Sequence, residues 1–197
     1  MKNVLVLGAG GILGSEITRQ LEQQSDINQT CYDIRKISYA RSNGGNICAD
    51  VCDENVLRQA VSGVDFIVCS LNGDWLSQAQ TLVSVLHGRQ DVRIIWVTGM
   101  GIHNEVSGIH GLMWRRYAAM YPDYIQAADC IANSGIPYTL VRTADLTESG
   151  DISYHLHHAG EKAHSRYVSR AAVAALIVKI IQSDNSFGLN ESIGITD

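Results

Sequence analysis

Two hydrophobic periods alternate along the chain. Val4, Leu5, Val6 and Leu7 form a continuous apolar run too short for a helix, the pattern of a strand buried on both faces. Ile12, Leu13, Ile17 and Leu21 then recur at helical spacing and predict a helix over residues 11–23. The exchange of periods repeats. Residues 25–28 turn the chain into a second strand at 29–32, and 46–49 make a short third. Asp53 caps a helix over 54–61, ended by Ser62 and Gly63; residues 65–69 are a fourth strand. Asp74 caps a helix over 75–86 with Leu76, Ala79, Val83 and Leu86 on one face, and 92–97 are a fifth strand. Residues 102–111 lack periodicity and read as a loop carrying His103, Glu105 and His110. Helices follow at 112–120 and 122–133, with Pro122 suited to a first turn, and a sixth strand at 136–141. Residues 147–165 read as a polar, histidine-rich loop or lid. A short strand at 167–168, a helix over 170–181 capped by Ser169 and a small edge strand at 190–194 close the chain.

Strand–helix alternation with short connections implies an α/β fold: a doubly wound, mostly parallel sheet with helices on both faces. The 197 residues suit one domain, with a core over 1–147 and a C-terminal portion over 148–197.

In such sheets ligands bind outside the carboxyl ends of the strands, where strand order reverses. The first of those ends carries Gly8, Gly10, Gly11 and Gly14, and the helix that follows opens at Ile12 and Leu13. Its first N–H groups lack partners and its dipole favours negative charge, so a strand, a glycine turn and a helix start together make a diphosphate site. Asp33 stands nineteen residues beyond Gly14, close to the spacing at which a carboxylate accepts the adenosine ribose hydroxyls and repels a 2′-phosphate, which favours NAD. Arg35 and Lys36 offer the opposite chemistry and would hold the 2′-phosphate of NADP. Asp33 capping a turn is the plain alternative. Asp50 and Val51 fall beside the adenine position, and Ser70, Leu71, Asn72 and Thr98 stand at the ends of the fourth and fifth strands, on the same cleft.

A net charge of −5 without a basic face argues against nucleic acid, and residues 171–181, the longest apolar helix candidate, are interrupted by Lys179 and too short for a bilayer. The chain runs from Met1 straight into a strand, with no signal peptide expected ahead of it. Five cysteines (Cys31, Cys48, Cys52, Cys69, Cys130) form no CxxC pair or zinc spacing and read as reduced, mostly buried thiols of a cytoplasmic protein. His155, His157, His158 and His164 match no metal-ligand spacing, and no metal is expected. The expected partner is a small-molecule substrate, on a monomer or homodimer.

GAGGILG at 8–14, SGIPYTLVRTADLT at 134–147 and YVSRAAVAALIVKII at 167–181 resemble the NmrA-like group of atypical short-chain dehydrogenases/reductases, over nearly the whole chain. Gly8, Gly11 and Gly14 match the group's glycines, and Tyr138-Thr139-Leu140-Val141-Arg142 its Tyr-Thr-apolar-apolar-Arg strand; Thr143 replaces the proline that often follows. The resemblance implies a Rossmann sheet binding NAD or NADP, with a small C-terminal extension over the cofactor cleft. Members include reductases of quinones and flavins, and cofactor-sensing proteins that do no chemistry.

In the wider superfamily a Tyr, with a Lys four residues later on the helix after the fifth strand, passes a proton as hydride moves. Here Tyr117, Tyr121 and Tyr124 are followed at that spacing by Tyr121, Ile125 and Ala128; Tyr32 and Lys36 have the spacing but sit on the adenosine side. Tyr124, Tyr121 and Thr98, where the family often has Ser or Thr, are the catalytic candidates. His103 and Arg142 are candidates for binding substrate, with an ion pair from Arg142 to Asp145 or Asp129 as the alternative. The leading expectation is an NAD(P)-dependent oxidoreductase acting on a small acceptor such as a quinone or flavin. A non-catalytic NAD(P) sensor is the alternative, and a nucleotide-sugar epimerase or dehydratase is less favoured because few residues follow the sixth strand.

Overall fold

In a computed structural model of the chain, the alternation becomes one sheet of eight strands. The structure describes residues 1–37, 43–103, 105–106, 108–163, 165–183 and 186–197; His164 and the side chains of His110, Arg115, Tyr117 and Ala118 lie outside the described residues. The elements run β1 (Lys2–Leu7), α1 (Ile12–Glu22), β2 (Ile27–Asp33), β3 (Asn46–Cys48), α2 (Glu54–Ala60), β4 (Phe66–Cys69), α3 (Trp75–Val85), β5 (Arg93–Gly99), α4 (Gly108–Met120) and α5 (Pro122–Ala132). They continue as β6 (Tyr138–Thr143), β7 (Asp145–Thr147), β8 (His155–His157), β9 (Tyr167–Ser169), α6 (Arg170–Gln182) and β10 (Glu191–Thr196).

The strand order is β3-β2-β1-β4-β5-β6-β10-β8, with every pair parallel except β10–β8; β7 and β9 form a separate parallel pair. Successive side chains of a strand point to opposite faces. Val4 and Val6 of β1 therefore enter one core with Leu13, Ile17 and Leu21 of α1 and Ile177 of α6, while Leu5 and Leu7 enter the other with Leu57 of α2, Leu82 of α3 and Ile131 of α5. Each such buried Leu or Ile contributes about 1.5–3 kcal/mol. Helix α6 is apolar on most of its circumference because α1 and the sheet enclose it. The order reverses between β2 and β4, which flank β1, and that reversal leaves a crevice above the carboxyl end of β1.

The aspartate and serine caps fall where the sequence places them: Asp53 accepts from the amides of Asn55 and Val56, Asp74 from Ser77, and Ser169 from Ala172.

Several expectations are corrected. Helix α4 starts at Gly108, inside the stretch read as loop, and leaves Ile109, Leu112 and Met113 exposed, so its apolar residues do not mark one buried face for the sequence to show. The segment read as an edge strand at 190–194 is β10, an inner strand paired on both sides. Its outer partner β8 comes from the histidine-rich loop, whose polar composition hides a three-residue strand. Of the five free cysteines only Cys31 and Cys69 are buried, while Cys48 is exposed on β3 at the open edge of the sheet and Cys52 is exposed in the turn before α2. Among the described residues no helix is long and apolar enough to cross a membrane.

Candidate functional site

The glycine turn is built by backbone collisions that a side chain would cause. Gly8 has φ of 80°, and a Cβ there would sit 2.1 Å from the carbonyl oxygen of Ser70 at the end of β4. A Cβ on Gly14 would sit 2.0 Å from the carbonyl oxygen of Gly8, so only glycine lets α1 seat against the turn. The turn is closed by the Gly8 amide donating to Tyr32 O at 2.9 Å and the Gly11 amide donating to Gly8 O at 3.0 Å. Gly11, the N-cap of α1, has no side chain to cap it, and no acidic residue stands in the first turn. The opening amides of α1 thus face outward without a side-chain acceptor, which is what a diphosphate requires.

Two hollows, each of about 470 Å³, meet over this turn and share Gly11, Ser70, Leu71 and Asn72. The first lies toward β2 and β3, where Gly8, Asp33, Arg35, Asp50 and Val51 line it. Asp33 is nearly buried and fastens the turn: its Oδ2 accepts from the Gly10 amide at 2.9 Å, and its Oδ1 accepts from the Arg35 amide at 2.9 Å. The acidic residue therefore caps a local turn and also faces the hollow. Arg35 is 73% exposed, with Nε 3.6 Å from the same carboxylate. Lys36 is exposed. Tyr32 is buried with its hydroxyl donating to Asp50 O at 2.8 Å, and burial pushes its pKa up to about 12.

The second hollow lies toward β5 and β6. Ile12 and Leu13 border it near the turn, and Val97, Thr98, Tyr124 and Thr143 border it farther in. Thr98 is only 3% exposed, and its hydroxyl has no hydrogen-bond partner among the described residues. A buried polar group left unmatched costs about 1–3 kcal/mol, and Gln29 Oε1, Gln78 Oε1 and Arg93 Nη1 share this state with the Thr98 hydroxyl among the described residues. Tyr124, on α5, brings its own hydroxyl to the end of β5, where a Cβ on Gly99 would meet it at 2.6 Å. Trp75 packs edge-on against Tyr124 at 5.1 Å and Tyr121 at 6.3 Å between ring centroids. Tyr121 is the N-cap of α5 and does not border either hollow.

Trp75, Leu146, Glu148 and Arg170 complete the walls of the second hollow and are absent from the sequence candidates. Trp75 and Arg170 had a local signal: each is the first residue of a helix, directly after a capping residue.

Arg142 is corrected. It is wholly buried and paired with neither Asp145 nor Asp129 but with Glu105; its Nε also donates to Ser192 Oγ at 3.0 Å and its Nη2 to His157 O at 3.1 Å. With its donors committed to the protein, Arg142 does not reach substrate. Asp145 pairs with Arg166 at 2.7 Å instead. His103 is exposed and shares a 3.1 Å hydrogen bond with Ser192 Oγ, outside the two hollows. His157 is buried against Thr196 Oγ1 at 2.9 Å, while His155 and His158 lie at the surface.

The glycine cradle and the open amides of α1 have the chemistry that the diphosphate of a dinucleotide needs. Comparison with known proteins agrees. A solved Rossmann-fold NAD(P)-binding family protein from Shigella flexneri is 34% identical, covering 100% of this chain and 94% of that one with a TM-score of 0.78. A short-chain dehydrogenase/reductase from Veillonella parvula, solved in complex with NADP, shares the fold at 23% identity and a TM-score of 0.83, over 100% and 94% of the two chains. A chloroplastic, uncharacterised protein of Arabidopsis thaliana is 24% identical over 93% of this chain, which spans 66% of that relative's length. The sequence profile of proteins described as NAD(P)H-binding matches residues 8–184, and the chain belongs to that family.

Proposed function

We propose that the chain is an NAD(P)H-dependent reductase of a small acceptor such as a quinone or flavin, with Thr98 and Tyr124 at the reacting end. The observation that carries this reading is the buried, partnerless hydroxyl of Thr98 on the wall that Tyr124 also lines. The bound nicotinamide would supply hydride. Gly8, Gly11 and the first amides of α1 would hold the diphosphate, and Thr98 would donate a hydrogen bond to the acceptor oxygen as charge builds there. Tyr124 is the candidate proton donor, but Ala128 stands four residues on, where the superfamily places a lysine. The superfamily's ammonium, which makes the phenol a better proton donor, has no counterpart at that spacing here. Quinones and flavins suit such a site because they can take their proton from water, whereas simple aldehydes depend on the enzyme's acid.

Asp33 favours NAD(H), because a carboxylate accepts ribose hydroxyls and repels a 2′-phosphate. Asp33→Asn removes the charge and keeps one acceptor, for the Gly10 or the Arg35 amide but not both. Fluorescence titration is expected to show NADH binding tighter than NADPH in the natural protein, with the ratio moving about tenfold toward NADPH in the variant. Equal affinities that do not respond to the substitution would remove Asp33 from cofactor choice.

Thr98→Val separates stability from function. Removing an unmatched buried hydroxyl is expected to leave folding stability unchanged or raise it by about 1 kcal/mol. The same change is expected to lower kcat/KM about tenfold, or about 1.4 kcal/mol of transition-state stabilisation. Urea unfolding and NADH oxidation with a panel of quinones, flavins and aldehydes read the two effects. The missing lysine favours a second reading, a sensor that binds the dinucleotide without turning it over. Cofactor binding with no oxidation by any acceptor would select it.

A further inference from the structure

Arg170 opens α6 at the end of the helix least suited to a cation. A helix amino terminus carries about half a positive charge, and the first turn of α6 holds no acidic residue to offset it. The first turn of α1, opening at Ile12, borders the same space, so two helix amino ends and a guanidinium converge there. Arg170 lines the second hollow and also an adjoining one of about 250 Å³; Ile12 and Glu148 border both as well.

What now sits on Arg170 is a carboxylate. Glu148 Oε1 lies 2.7 Å from its Nη2, and the two side chains are unequally held: Arg170 is 22% exposed and Glu148 is 91% exposed. Arg170 is further fixed by a long hydrogen bond from Nε to Thr147 O, at 3.4 Å. A pair with one member in solvent is weak, whereas a guanidinium holding a carboxylate by two parallel hydrogen bonds within a cavity is strong and orienting. The neighbouring charges do not compete for it equally. Arg19 is held by Glu16 through two hydrogen bonds, at 2.8 and 2.5 Å, and the Arg170 charge also helps hold the Glu16 carboxyl below its ordinary value, so Glu16 is shared between the two cations while Glu148 is the acid in contact with Arg170.

We propose that Arg170 is the subsite for a carboxylate of the acceptor, and that Glu148 occupies it as an exchangeable placeholder. The inference rests on the second hollow being the acceptor site. It gives the substrate a class: a reducible group near Thr98 and Tyr124, and an anionic carboxylate reaching toward the amino end of α6. This is the role the sequence suggested for Arg142, transferred to the arginine that faces the cavity.

The test uses the full chain and isothermal titration. NAD alone is titrated first, which reads the cofactor site without this proposal. The NAD-loaded protein, which has no hydride to give, is then titrated with 4-carboxybenzaldehyde and with its methyl ester. The acid is expected to bind about tenfold more tightly than the ester. Arg170→Gln should reduce that gap to about twofold or less, Arg170→Lys should restore part of it, and Glu148→Gln, at an exposed position, should widen it about threefold. Ester affinity should be unchanged throughout. A gap that survives Arg170→Gln, or no gap in the natural protein, overturns the proposal while leaving cofactor binding intact. So does a loss of NAD affinity in Arg170→Gln equal to the loss for the acid, since the guanidinium would then serve the diphosphate. Failure of the natural protein to bind either NAD or NADP would instead overturn the reading of the whole cleft.

Discussion

Replacement of Glu105 by alanine is expected to cost about 3–5 kcal/mol of folding stability, enough to unfold a large share of the molecules at moderate temperature. Glu105 and Arg142 are both wholly buried, and Arg142 Nη1 donates to Glu105 Oε1. The carboxylate also accepts from the His103 amide at 2.9 Å, and the Glu105 carbonyl accepts from the Ala163 amide at 3.2 Å. One residue thus ties the segment after β5 and the segment before β9 to the carboxyl end of β6. Removing it leaves a guanidinium buried without its counter-charge. The cost lies in that orphaned charge more than in the value of the pair. The double variant Glu105→Leu with Arg142→Met should therefore lose much less than the sum of the two single changes, as a double-mutant cycle would show.

The pair also sets an acid limit. Burial works against the charged form of Glu105, but hydrogen bonds with its own segment and the Arg142 guanidinium outweigh it and hold the pKa below the ordinary carboxylate value. A depressed folded-state pKa gives stability that is fully present above the unfolded value, about 4.3, and is lost as pH falls through the folded one. The stability difference between the natural protein and Glu105→Gln, measured by urea unfolding, should be constant from pH 7 to about pH 5 and shrink below about pH 4. A difference that grows on acidification would contradict this assignment.

Gly8→Ala is expected to have the second large effect. An L-residue in the left-handed region costs about 1–2 kcal/mol, and forcing a methyl group against the Ser70 carbonyl adds about 1–3 kcal/mol. The two terms can be separated, because Gly88 has a similar φ of 77° with nothing within 4 Å of its Cβ position. Gly88→Ala should show the conformational cost alone, and the excess in Gly8→Ala measures the collision. Relief of that collision must move the turn or the end of β4, both of which border the two hollows. Affinity for NADH should therefore fall by about a hundredfold or more in Gly8→Ala and stay unchanged in Gly88→Ala. Equal destabilisation of the two variants would mean the turn yields without strain.

The features legible in the sequence are those whose cause is local. The run Val4–Leu7 could be buried only on both faces, and the glycines behind it had no other way to bring strand and helix together. Asp53, Asp74 and Ser169 cap helices because an oxygen acceptor two or three residues ahead of a free amide is within reach whatever the rest of the chain does. The residues at the carboxyl ends of β1, β2, β4 and β5 were legible as one cleft because parallel strands present those ends on one side of a sheet.

The tertiary structure decided matters that depend on residues far apart in the chain. Arg142 meets Glu105 rather than Asp145, since β6 and β10 bury it and the segment 37 residues earlier brings a buried carboxylate to it. Strand β10 is internal because His155–His157 completes its outer side, a pairing worth nothing to either segment until the sheet exists. The lone hydroxyl of Thr98 and the Arg170–Glu148 contact at the rim are likewise properties of cavity walls assembled from several elements. Periodicity and capping record the interactions of a residue with its near neighbours. Which charges are buried together, and which polar atoms line a cavity, is set by how distant elements pack.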